Sequence, residues 1–279
     1  MKLLYIPLRA IIAAYSDDYT QGDDLYDAFA KRCEVHAWTN IEQAIAFDPD
    51  VVYLHSGTLP LEPLLKVKEN TNAVWTQWTG DVRLEQLEPV MRYENLCDLH
   101  FMSSIQDIYP FKINWLPHAV ADWQFKPVHK AEGIVYIANE YHHFPGGLER
   151  YELACLIRDT LGLTWHGSGT IQVNWRLTPD IYNAHAFSIG ANCFNDIPYY
   201  FSDRPQKAMA AGCCHLMRWI PGIDELFDDS ECIIYKKNSE VIPLIKGCKN
   251  REEIAKKGQA KIRKEYTYDA IVDKYLKQL

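Results

Sequence analysis

Residues 195–212, NDIPYYFSDRPQKAMAAG, bring an asparagine, two aspartates, two tyrosines, a serine, an arginine and a lysine to the approach of one short helical segment. Arg204 is a permanently charged fork of donors. The start of a helix offers exposed amides and the positive end of its dipole, so the natural guest of the pair is a phosphate. Ser202 or Asp203 can cap that helix, Pro205 suits its first turn and Gly212 its end. The same residues also suit a capped surface helix with two packed tyrosines. A second chemical candidate is Asp81 in NAVWTQWTGDVR, where a strand runs to Trp78 and breaks at Thr79-Gly80. A carboxylate delivered to the carboxyl end of a strand can take a proton from a hydroxyl group or cap the next helix.

Both candidates need strands to carry them. Short apolar runs rich in β-branched and aromatic residues recur with amphipathic segments between them, which is the α/β rhythm. In the first half these runs are LLYIPL, CEVHAW, DVVYLHS, NAVWTQW, LHFMS and INWLPHAV; in the second they are GIVYIA, LTWHG, AFSIGA, CCHLMRW and CIIYKK. Helical patterns fall around 22–32, 40–46 and 60–69, and again from Ser239 to the end. The periodicity lapses in DWQFKPVHKAEG, residues 122–133, which sets the expected boundary between two Rossmann-like domains, 1–125 and 126–279. The last segment, YDAIVDKYLKQL, can cross back to the first domain. In this reading AFSIGANCF delivers NDIPYYFSD to the top of the second sheet, where ligands of open α/β sheets bind.

The chain's 279 residues suffice for two such cores. The net charge of -8 is uneven: 9 Lys and Arg stand against 18 Asp and Glu up to residue 125, and 20 against 19 beyond it. A duplex nucleic acid lying along the acidic half would have to overcome that field. The opening apolar run is too short for a signal h-region and no run reaches the length of a membrane span, so a soluble, cytoplasmic protein is expected. Eight cysteines without a CxxC pair read as reduced core thiols.

The segment NDIPYYFSDRPQKAMAAG, continued through CCHLMRWIPGIDELFDDSECIIYKKNSEVIPLI and KKGQAKIRKEYTYDAIVDKYL, resembles the second domain of the CgeB-like glycosyltransferases. Their pattern runs ND, aromatic, S-x-R, a small-residue helix, G, a strand, then PG-x-x-E-x-F. The match covers roughly residues 186 to 275, and DVVYLHSG, WTGDVR and INWLPHAVADWQFKP extend it more weakly into the first half. A more distant resemblance is to the phage DNA β-glucosyltransferases, whose T-D-I-R and I-G…N-D…R segments correspond to TGDVR and to IGANCFND…R.

These resemblances imply a GT-B architecture, two facing Rossmann-like domains with parallel sheets, the acceptor held mainly by the first and a nucleotide-sugar donor mainly by the second. They imply a glycosyltransferase with no permanently bound cofactor and no metal, using a nucleoside-diphosphate sugar, with a UDP-sugar as the expected donor. The acceptor class stays open among a polysaccharide, a protein, a small molecule and hydroxymethylated DNA. Asp81 falls at the position of the general base, and Asn195, Asp196, Tyr200, Ser202, Arg204 and Lys207 fall on the donor-binding pattern. Arg150, in IANEYHHFPGGLER, becomes the candidate for the diphosphate, with His142 and His143 as further donors. Lys207 departs from both families, which place a ribose-binding glutamate there; a lysine accepts no hydrogen bond. That departure keeps a noncatalytic nucleotide-binding homologue in view, beside a nucleotide-sugar epimerase on the same fold. Finally, DPD at 48–50 spells the DxD metal motif of the other large glycosyltransferase fold, but it precedes a strand and reads as a turn.

Overall fold

The computed structural model describes residues 1–7, 21–55, 59–80, 87–125, 132–139, 142–167, 170 and 177–279. They divide into two compact units, Met1–Pro117 with Tyr268–Leu279, and His118–Thr267.

The first unit contains strands β1 (Lys2–Ile6), β2 (Glu34–Ala37), β3 (Val51–His55), β4 (Val74–Thr79), β5 (Leu99–Met102) and β6 (Ile113–Trp115). All pair in parallel, in the order β2-β1-β3-β4-β5-β6. Helices α1 (Gln21–Ala30), α2 (Ile41–Phe47), α3 (Leu61–Glu69) and α4 (Leu87–Met91) connect them. The second unit contains β7 (Ile134–Ile137), β8 (Thr164–His166), β9 (Phe187–Gly190), β10 (Cys214–Arg218) and β11 (Ile233–Tyr235), again parallel, in the order β11-β10-β9-β7-β8. Its helices are α5 (Gly147–Leu161), α6 (Thr178–Asn183), α7 (Arg204–Ala210), α8 (Ile223–Leu226), α9 (Asn238–Gly247) and α10 (Arg251–Glu265).

Each of the eleven apolar runs of the sequence supplies one of these strands. β1, β3, β4, β9 and β10 are buried along nearly their whole length, as a parallel strand covered on both faces is. Leu4, Ile6, Val52, Leu54 and Trp75 form the core under α2 and α3 in the first unit, while Tyr136, Ile189, Leu216 and Tyr235 pack against Leu153, Ile157 and Val241 in the second.

The second unit begins at His118, and segments from near its two ends meet: the Val120 N–H donates to Tyr266 O at 2.9 Å and Val120 forms a parallel bridge with Thr267. After Thr267 the chain enters helix α11 (Tyr268–Leu276), which belongs to the first unit. Its Tyr275 is buried against Phe29, Tyr53 and Phe101, and its hydroxyl lies 2.7 Å from Thr76 Oγ1. Arg32 grips the same helix through Asp269 at 2.9 Å and Asp273 at 2.5 Å.

In the DPD stretch, Asp48 ends α2 in the left-handed region (φ 50°), and Asp50 Oδ2 accepts from the Lys2 N–H at 2.7 Å. All eight cysteines are free thiols. Among the described residues no helix is long and apolar enough to cross a membrane.

Candidate functional site

An open parallel sheet binds ligands outside the carboxyl ends of its strands, where the strand order reverses. In the second unit β8 lies on one side of β7 and β9 on the other, so the reversal falls between β7 and β9. The chain leaving β7 leads to α5 and the chain leaving β9 leads to α7. The two candidate stretches of the sequence thus leave adjacent strands at the position where topology predicts a ligand.

Gly146, at the start of α5, is the point where these connections meet. Its N–H donates to Cys193 O at 2.7 Å, and a Cβ there would stand 2.8 Å from that oxygen and 3.0 Å from Asn192 O. The glycine therefore serves close approach of two backbones. The Gly146 amide is therefore spent on the neighbouring connection. Phe144 and Phe194 join the same connections at 5.4 Å between ring centroids, and Tyr200 meets Phe194 edge-on at 6.1 Å.

Arg204 opens α7 and is half-buried. Its Nε donates to Ser202 Oγ at 2.9 Å and its Nη2 reaches Ala191 O at 3.5 Å, so the guanidinium lies along the end of β9. The phenol groups of Tyr136, Tyr182 and Tyr200 and the Asp203 carboxylate stand around this charge. Burial pushes the hydroxyls of Tyr136 and Tyr182 upward, which keeps them protonated and able to donate. The Tyr136 hydroxyl is buried without a partner, and so is Asn195 Oδ1. Each is a polar group that costs free energy until something satisfies it. Arg150 also approaches Tyr136. It is 5% exposed, and its Nη2 donates to Asn139 O just beyond β7. Arg150 and Arg204 thus brace the two connections from opposite strands.

Asp203 occupies the cap position of α7, but its side chain makes no capping bond. It pairs instead with Lys207, one turn on, at 2.5 Å. Burial alone would raise the Asp203 carboxyl, yet Lys207, His118 and Arg204 together hold it at about 2. A carboxyl so depressed stabilises the fold fully above the unfolded carboxylate range, near pH 4, and loses that contribution as pH falls through about 2. Lys207→Gln is therefore expected to lower stability at neutral pH by about 1–2 kcal/mol and to flatten the loss of stability between roughly pH 4 and pH 2. Urea titrations across that range check it.

The remaining candidates divide. Asn195 is half-buried and Asp196 exposed on the connection after β9, while His142 and His143 are exposed before α5. Asp81, Asp17 and Asp18 lie outside the described residues. Sequence reasoning missed His215, whose Nδ1 lies 2.7 Å from Ser188 Oγ and whose ring burial holds near pKa 3, hence neutral. A Cβ at Gly190 would lie 2.4 Å from His215 Nε2, which explains the glycine at the end of β9. It also missed Tyr136 and Tyr182, which read as core aromatics in strand and helix text, and the pairing of Arg218 with Glu149 at 2.8 Å, which ties the end of β10 to the first turn of α5. Among the described residues, no group of three or more His, Cys, Asp and Glu side chains could hold a metal ion.

A family model described as "Glycosyl transferase-like" matches residues 154–277. No curated protein matches the sequence. Among solved structures, Anabaena HepE in complex with UDP and glucose is 12% identical, with 100% of each chain covered and a TM-score of 0.63. A glycosyltransferase from Rickettsia africae ESF-5 is 10% identical over 99% of this chain and 97% of its own, with a TM-score of 0.63. A mutant of T4 phage BGT in complex with UDP-glucose is 11% identical over 100% and 99%, with a TM-score of 0.61. At such identities the likeness establishes the fold, and the fold is that of the GT-B glycosyltransferases.

Proposed function

We propose that this chain is a glycosyltransferase of the CgeB-like type, which moves a sugar from a nucleoside-diphosphate donor, a UDP-sugar, to an acceptor hydroxyl. The observation that carries the reading is Arg204 at the strand-order reversal of the second sheet, among donor groups of which the Tyr136 hydroxyl is still unsatisfied. HepE and T4 phage BGT share the fold and were solved with UDP or UDP-glucose. Eight free thiols suit a reducing, cytoplasmic setting.

Transfer breaks the bond between the anomeric carbon and the diphosphate oxygen while the acceptor oxygen bonds to that carbon and loses its proton. A base takes the proton, and positive charge stabilises the departing diphosphate. In this reading Asp81 is the base and Arg204, helped by Arg150, receives the phosphate charge. Asn195, Asp196, Tyr200, Ser202 and Lys207 line the donor side. With no covalent nucleophile assigned, the displacement is direct and inverts the anomeric centre. The acceptor is a polysaccharide, a protein, a small molecule or hydroxymethylated DNA.

Because fixed arginine charges serve the leaving group, turnover is expected to survive EDTA and to gain little from added Mg²⁺ or Mn²⁺. A UDP-release assay with and without chelator checks this, and loss of turnover restored by either cation would contradict it. One observation favours a second reading, a nucleotide-binding homologue without transferase activity. Lys207 stands where the resembling families carry a ribose-binding glutamate, and it is already committed to Asp203. A screen of UDP-sugars for UDP release separates the two readings: steady release supports the transferase, and tight UDP binding without release supports the homologue.

A further inference from the structure

Tyr199 has φ 60°, in the left-handed region that a bulky aromatic residue rarely adopts. Such a conformation persists only where the surroundings over-determine it, and it concentrates at functional sites. The surroundings here are the turn between β10 and α8. The Tyr199 N–H donates to Pro221 O at 2.9 Å, and the Tyr199 hydroxyl donates to Glu225 Oε2 at 2.7 Å. The ring lies on Gly222, where a Cβ would come within 2.5 Å of Tyr199 Cε1; Gly222 itself has φ 82°. No other residue type gives both that backbone angle and that contact. Tyr199 is thus held by the turn after β10 at Pro221 and Gly222 and by α8 at Glu225, and it sits between Asn195 and Arg204 on the connection from β9 to α7.

We propose that Tyr199 is a positioning residue. Clamped onto Pro221, Gly222 and Glu225, it holds the β9–α7 connection in the one conformation that presents Tyr200, Ser202 and Arg204 to the donor diphosphate. The assignment of that ligand rests on the donor-site reading above; the clamp does not. Without the clamp, Tyr199 relaxes towards ordinary backbone angles and the connection loses its fixed entry into α7, so UDP must order it on binding.

The test compares the full chain with Tyr199→Phe, Glu225→Gln and Glu225→Ala, by hydrogen exchange of residues 195–203 and by calorimetric titration with UDP. Tyr199→Phe removes the hydroxyl, and with it the bond to Glu225, while keeping the ring. It is expected to speed exchange in 195–203 alone and to weaken UDP binding about fivefold, with Tm nearly unchanged. Glu225→Ala should match it, while Glu225→Gln, which keeps an acceptor oxygen, should behave as the unmutated chain. Unchanged exchange in Tyr199→Phe would overturn the clamp. Faster exchange throughout the second unit would overturn it too, by making Tyr199 an ordinary stabilising contact. Faster local exchange with unchanged UDP affinity would overturn its positioning role. An unmutated chain that binds no UDP would remove the donor reading, and the exchange comparison would still decide the clamp.

Discussion

Arg204→Ala is expected to remove half or more of the thermal stabilisation that UDP gives the protein. A ligand that binds only the folded state stabilises it by about 2.7 kcal/mol at one hundred times its Kd. A charge-assisted contact from a guanidinium to phosphate is among the stronger polar interactions, and losing one costs about 1.5–3 kcal/mol, or roughly ten- to a hundredfold in affinity. With UDP at one hundred times the unmutated chain's Kd, a tenfold loss leaves about half of that stabilisation and a hundredfold loss about 0.4 kcal/mol, so the variant's shift in Tm should fall by half or more. Arg204 also donates to Ser202 and reaches Ala191, so the ligand-free variant must first be shown to be folded. Arg204→Lys supplies the graded control, keeping the charge but losing the fork, and should fall between the two. A folded Arg204→Ala chain with unchanged UDP affinity would remove Arg204 from the donor site.

Asp81→Asn should lower transfer by about 10²-fold or more while leaving UDP affinity intact, because general-base assistance contributes about that much and is absent from donor binding. Strand β4 ends at Thr79, and the assignment of Asp81 rests on the resemblance of TGDVR alone. The competing role is a helix cap. Loss of a cap would cost about 1 kcal/mol of stability and little activity, so transfer rates and Tm measured on the same variant separate the two. Near-normal transfer to the true acceptor would exclude Asp81 as the base and turn attention to Asp17 and Asp18.

The strands were legible because parallel-sheet burial writes itself as local composition: VVYL and IVYI need no long-range information to be read. Their order also made the ends of β7 and β9 a legible place for a ligand once AFSIGA had been read as a strand. What escaped depended on contacts across the chain. The second unit joins Val120 to Tyr266 near its two ends, residues far apart in sequence. The need for a glycine at position 146 shows only in the approach of Cys193 O and Asn192 O. The Asp203–Lys207 pair was open to reading, since a cation near a helix amino terminus calls for an anionic partner and a carboxylate four residues before a lysine is one. Tyr199 carried no local signal, because a left-handed tyrosine looks like any other tyrosine until Gly222 is placed beneath it.

The central claim is that the second unit holds a nucleoside diphosphate at the carboxyl ends of β7 and β9, and isothermal titration of the full chain with UDP tests it most directly. The account predicts saturable binding at one site per chain, with UDP-glucose competing for the same site and Arg204→Ala weakening both. Absence of binding by UDP, by UDP-glucose and by the other common nucleoside diphosphates at millimolar concentration would contradict it.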